Sequence, residues 1–160
     1  MRILVDSSTL IALATVDELN ILKEVFGQIF ITTTVKEEVL KGDFPETKVL
    51  KSAMDKWIEV VDYEGDAGEL RKYGLGKGEA SLFLAARRED KLVLDEANAR
   101  RFAEALRLKF TGLIGLLVAA AKTKRLKNEK VMGVLKKLAT SDFRMSSDLY
   151  LWAQEEIERI

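Results

Sequence analysis

The chain of 160 residues has no cysteine and no histidine, and it contains one proline. Without cysteine there are no disulfides, zinc fingers, iron–sulfur ligands or thiol nucleophiles. Without histidine there is no imidazole base, no Ser-His-Asp triad and almost no route to a zinc or copper site. Whatever chemistry exists must use carboxylates, hydroxyls, lysine or arginine. The single proline and scattered glycines leave no interdomain linker, and no repeat or low-complexity segment is present, so residues 1–160 read as one domain. Long hydrophobic runs are missing too. The longest, Gly112 to Ala121, has ten residues, which is too short for a membrane span and reads as a buried helix. The opening Met1-Arg2-Ile3-Leu4-Val5-Asp6 meets a charge too early for a secretory signal, so a cytoplasmic location is expected, and the lack of cysteine says nothing against a reducing compartment.

What is present is a core-forming composition, 48% hydrophobic and 32% charged. The formal net charge of +0 hides an asymmetry: through Leu70 there are 14 acids and 7 bases, leaving 12 acids and 19 bases from Arg71 onward. Lys122-Thr123-Lys124-Arg125-Leu126-Lys127 carries much of the basic excess. It can meet a phosphate backbone or simply solvate a helix end.

Short apolar runs at 3–5, 29–33, 58–61, 92–94 and 108–110 predict buried strands. Helical spacing between them, as in Ala99, Phe102, Ala103 and Leu106, predicts an α/β fold with a mostly parallel sheet and right-handed crossovers. The glycine-rich Gly74-Leu75-Gly76-Lys77-Gly78 is a turn before a helix over 78–88. It is not a Walker loop, because Gly78 and not Ser or Thr follows Lys77, and it lacks the dinucleotide fingerprint.

Acids placed just after strands of a parallel sheet can meet although distant in sequence. Asp6 and Asp95 are so placed, and each can also serve as a helix N-cap. On a helix over 34–41, Glu37 points outward and can pair with Lys41, while Glu38 flanks the apolar stripe and is expected to be half-buried. Glu79 falls in line with Leu82, Phe83 and Ala86 on the inward face of its helix, although a first-turn acid also suits the helix dipole. Carboxylates gathered without a lysine or arginine partner need protons or a cation. All-oxygen ligation selects Mg²⁺ or Mn²⁺, ions that promote in-line attack of water on a phosphodiester. On this reading Asp6→Asn, with one charge fewer, is expected to melt no lower than the parent chain when metal is absent.

Asp6-Ser7-Ser8 after the first strand, Val35-Lys36-Glu37-Glu38-Val39 after the second, Gly78-Glu79-Ala80 opening a helix and Leu94-Asp95-Glu96 closing a strand together resemble the PIN domain in its prokaryotic VapC-like branch. The resemblance extends through Ala99-Arg100, Thr111-Gly112 and a closing Phe143-Arg144-Met145-Ser146 segment. It implies a three-layer α/β/α fold and a metal-dependent ribonuclease, often a homodimer and often a toxin paired with an antitoxin protein. By position it implies the acids Asp6, Glu38, Glu79 and Asp95. Glu96 stands where relatives carry a second acid, commonly the shorter Asp, and Ser8 and Thr111 match polar positions lining the site.

The preferred reading is an endoribonuclease in which Asp6, Glu79 and Asp95 hold Mg²⁺ or Mn²⁺ directly, Glu38 acts through water or as an orienter, and Lys77, Arg100 and Arg101 bind the RNA. A haloacid-dehalogenase-type phosphatase would need a second Asp two positions after the first, where Ser8 stands. A DNA nuclease of the flap endonuclease type and a catalytically weak protein-binding module are the remaining alternatives.

Overall fold

The computed structural model describes residues 1–160. Its aliphatic and β-branched runs become strands β1 (Ile3–Val5), β2 (Ile29–Thr32), β3 (Ile58–Val61), β4 (Lys91–Val93) and β5 (Lys109–Thr111). Every pair is parallel and the order is β3-β2-β1-β4-β5. The central strand β1 is buried at each of its residues, as a strand covered on both faces must be.

The helices are α1 (Ser7–Thr15), α2 (Asn20–Phe26), α3 (Thr33–Val39), α4 (Pro45–Met54), α5 (Lys77–Ala85), α6 (Ala97–Ala105), α7 (Leu113–Lys122), α8 (Asn128–Ala139) and α9 (Ser147–Glu158). A 3-10 segment, Ala67–Tyr73, precedes α5. Helix α1 packs on α3 and α4, α3 packs on α5, and α7, α8 and α9 pack on one another. The result is a three-layer α/β/α fold around a wholly parallel sheet.

From β1 the chain runs to β2 and β3 on one side, and from β4 to β5 on the other. The carboxyl ends of β1 and β4 therefore flank the point where strand order reverses, the usual ligand crevice of an open α/β sheet.

Several local expectations shift. Strands β4 and β5 each lie one residue from the predicted runs. Leu94 is buried but lies beyond the β1 register, which pairs Val5 with Val93, while Leu108 is used in the turn that ends α6, donating its N–H to Ala103 O at 2.9 Å. Helix α3 stops at Val39, so Lys41 lies outside the i, i+4 geometry and forms no ion pair with Glu37. Helix α5 ends at Ala85 because Ala86 turns extended (ψ 138°) and Arg87 N–H donates to Asp90 Oδ2 at 2.7 Å. The 122–127 cluster behaves as a helix end: Lys122 pairs with Glu156 at 2.7 Å, Arg125 Nη1 donates to Val25 O at 3.1 Å, and Leu126 is buried.

Candidate metal centre at the carboxyl edge of the sheet

Asp6 is the first residue beyond β1 and the N-cap of α1, its Oδ1 accepting from Thr9 N–H at 2.9 Å. Its Oδ2 accepts from Asp95 N–H at 2.8 Å, so one buried carboxylate ties the start of α1 to the loop after β4. Burial pushes its pKa up, with the charge of Glu96 adding to the rise, against the opposing hydrogen bonds from Thr9 and Asp95.

Asp95 is half-buried, and its pKa is also raised, by burial first and then by the charges of Asp6 and Glu96, with Arg100 partly offsetting them. Glu79 stands in the first turn of α5. Its Oε1 accepts from Gly76 N–H at 3.0 Å, closing the helix start, while Oε2 is buried without any hydrogen-bond partner. One oxygen of this residue thus serves the helix start and the other faces inward. Burial raises the Glu79 pKa, the Gly76 bond lowers it, and the charges of Glu96, Asp6 and Glu38 raise it further.

Glu38 departs from expectation in being exposed, because the seven-residue α3 ends one position later and leaves its outer turn to solvent. It nevertheless joins the group. Its Oε1 accepts from Ser7 Oγ at 2.8 Å, and it lies against Gly78, where a Cβ would overlap its carboxylate. Glycine at 78 is what lets α5 begin beside this acid.

Glu96 occupies the N-cap place of α6, is exposed and makes no side-chain cap bond. Its charge acts on Asp6, Glu79 and Asp95. Ser8 is exposed and lines a cavity with Asp95 and Glu96; the serine that touches an acid is its neighbour Ser7, which nothing in the sequence sets apart from Ser8. Thr111 Oγ1 donates to Gly112 O at 3.1 Å, a turn bond. Lys77 is exposed at the start of α5, Arg100 is half-buried on α6, and Arg101 is engaged by Asn98 Oδ1 at 2.6 Å.

The ion pairs of the fold lie elsewhere, at Arg2–Asp90, Lys122–Glu156, Lys130–Glu18 and Lys137–Glu18, so none neutralises these carboxylates. No three of them stand as a ready-made ligand cluster, since Asp6, Glu38 and Glu79 are each drawn to their own N–H or hydroxyl donors. Two buried oxygens beside these acids, Glu79 Oε2 and Thr9 Oγ1, have no hydrogen-bond partner, and a buried carboxylate oxygen in that state calls for a proton or a cation.

A family profile described as a PIN domain matches residues 2–159. No curated protein and no solved structure matches the chain.

Proposed function

The chain belongs to the PIN-domain family, a nuclease-type fold, and from that premise we propose that it is a metal-dependent endoribonuclease of the VapC-like branch. The observation that carries the reading is the buried, unpartnered Oε2 of Glu79 among acids that form no ion pair, with Arg100 only partly offsetting the charge at Asp95. The donor set fits a divalent cation: it is oxygen-only, it has raised carboxyl pKa values at Asp6, Glu79 and Asp95, and one of its buried oxygens is free.

Asp6, Glu79 and Asp95 would hold Mg²⁺ or Mn²⁺, with Glu38 acting through water or orienting the others. Bound there, such an ion would supply Lewis acidity and lower the pKa of water so that hydroxide is available near neutral pH, a task that a chain without histidine cannot give to an imidazole. The residues of the chain provide the frame. Each Asp6 oxygen accepts one N–H and keeps a second lone pair, so the carboxylate is fixed in direction yet still able to coordinate. Ser7 holds Glu38 in place, and Lys77, Arg100 and Arg101 offer positive charge to the RNA backbone at the rim. In the cell this activity would be cytoplasmic, carried by a homodimer and held in check by an antitoxin protein.

The test is cleavage of single-stranded RNA by the purified protein. It should proceed with Mn²⁺, stop with EDTA, be lost in Asp95→Asn and survive in Glu37→Ala, whose side chain faces solvent. Cleavage that persists in EDTA, or equal loss in both variants, would contradict the assignment.

A further inference from the structure

The closing Phe143-Arg144-Met145-Ser146 segment is not used by the acid cluster itself, yet Phe143 and Arg144 line a cavity that reaches Asp95 and Glu96. A cavity of about 550 Å³ opens beside the acids. One wall is a single face of α1, carrying Ser8, Ile11 and Thr15 at helical spacing, and the others bring Asp95, Glu96 and Arg144. That volume is in the range of sites that seat small ligands.

Arg144 is the only cation on this wall, against the carboxylates of Glu46, Asp95, Glu96 and Asp142. Despite that company it forms no ion pair and no hydrogen bond. Its backbone is held from both sides. Phe143 and Met145 pack on the core, Phe143 N–H donates to Ser141 Oγ at 3.2 Å, and Ser146 Oγ accepts from Leu149 N–H at 3.1 Å to cap α9. Between two packed side chains Arg144 is left exposed. A guanidinium presented by a fixed backbone, unpaired, in a groove that Asp95 also lines, has the geometry and charge to pair with the two non-bridging oxygens of a phosphodiester.

We propose that Arg144 is a positioning residue that clamps a backbone phosphate of single-stranded nucleic acid lying in this groove, beside the phosphodiester held at the acids. The inference rests on the nuclease reading only for where the neighbouring phosphodiester goes; the phosphate contact can be measured without cleavage. In an acid-lined groove a polyanion is repelled, and Arg144, the one cation among Glu46, Asp95, Glu96 and Asp142, offsets part of that repulsion. The contact reads charge and not base, so its loss should weaken all sequences alike.

The experiment measures binding of fluorescent 12-nucleotide single-stranded RNAs, one uridine-rich and one adenine-rich, by anisotropy across a salt series in the presence of Ca²⁺. A DNA strand of the same length is run alongside. For Arg144→Gln we expect affinity to fall roughly three- to tenfold on both RNAs, with the slope of log affinity against log salt shallower by about 0.7, the increment for one phosphate contact on a single strand. Arg144→Lys should restore the slope but only part of the affinity, since the charge returns without the fork. An equal loss on the DNA strand identifies a contact to phosphate alone, as proposed. Loss confined to RNA would instead indicate a ribose contact and overturn it. Unchanged affinity and slope in Arg144→Gln, or no binding by the parent protein, would also overturn it. Binding that depends on Arg144 in a protein that never cleaves with Mn²⁺ would leave this contact standing and remove the nuclease reading. Cleavage with an unaltered Arg144→Gln salt slope would do the reverse.

Discussion

Asp6 has two structural tasks beside its proposed chemical one, and this alters what its substitution should do. Charge relief alone argues that Asp6→Asn melts no lower than the parent chain. The carboxylate, however, accepts from Thr9 N–H and Asp95 N–H on separate oxygens, and an asparagine can offer an oxygen to only one of them. The other N–H would face an NH₂ group. The lost bond outweighs the relieved charge, so we expect Asp6→Asn in EDTA to lose about 1–2 kcal/mol, measured by urea denaturation. Stability equal to or above the parent's would show that repulsion dominates. Gly78 offers the opposite combination. An added Cβ would overlap the end of the flexible Glu38 side chain, which can swing away, while alanine is the better helix former by at most about 1 kcal/mol at this first-turn position. Gly78→Ala should therefore melt no lower than the parent and yet cleave RNA roughly tenfold more slowly, a barrier change of about 1.4 kcal/mol. Undiminished cleavage would remove Glu38 from the site.

At the level of elements, the seam between β1 and β4 carries both the site and much of its support. Behind the acids, Arg2 and Asp90 join the start of β1 to the turn before β4 through Nη2–Oδ2 at 2.8 Å and Arg2 N–H to Oδ1 at 3.2 Å. Burial works to raise the Asp90 pKa, but the bonds from the Arg2 side chain and from Arg87 and Arg2 N–H outweigh it and hold it below the usual range. Asp90→Ala leaves the Arg2 guanidinium with only its bond to Ala85 O at 2.9 Å and no counter-charge, and should cost roughly 3 kcal/mol by denaturant titration. A loss within the range of an exposed pair, below about 1 kcal/mol, would contradict that assignment. Much of this architecture is legible in the sequence. Strand endings followed by acids set Asp6 and Asp95 on one edge once the sheet is parallel, and helical spacing turns Glu79 inward. What escapes is long-range or set by where an element stops. Nothing near Asp90 announces an arginine 88 positions earlier. Exposure of Glu38 follows from α3 ending at Val39, and the choice of Ser7 over Ser8 depends on how α1 meets α3. The place of Arg144 depends on a segment folding back from beyond α8.

For the whole molecule, the formal net charge of +0 says little, because the decisive charges are local. Asp6, Glu79 and Asp95 have folded-state pKa values above their ordinary ones. Their contribution to stability is therefore fully present below about pH 4 and is lost as pH rises through those raised values. Asp90 and Glu18, whose values are lowered, contribute in the opposite sense, above the ordinary carboxylate range, and lose their effect as pH falls through the depressed values. In EDTA the protein should consequently melt higher near about pH 5 than near about pH 7.5, and saturating Mn²⁺ should shrink or reverse the difference. A metal-free midpoint that climbs over this interval would contradict the shifts of the acid cluster. The central claim, that these acids hold a divalent cation, is tested most directly by the thermal midpoint with and without Mn²⁺ for the parent chain and for Glu79→Gln. The glutamine can keep the bond to Gly76 N–H while losing the charge at the orphan oxygen. The account expects the parent to gain about 2.7 kcal/mol at a free Mn²⁺ concentration 100 times its dissociation constant, and Glu79→Gln to keep its fold in EDTA but gain little at that same concentration. An equal gain in both proteins, or none in the parent, would contradict it.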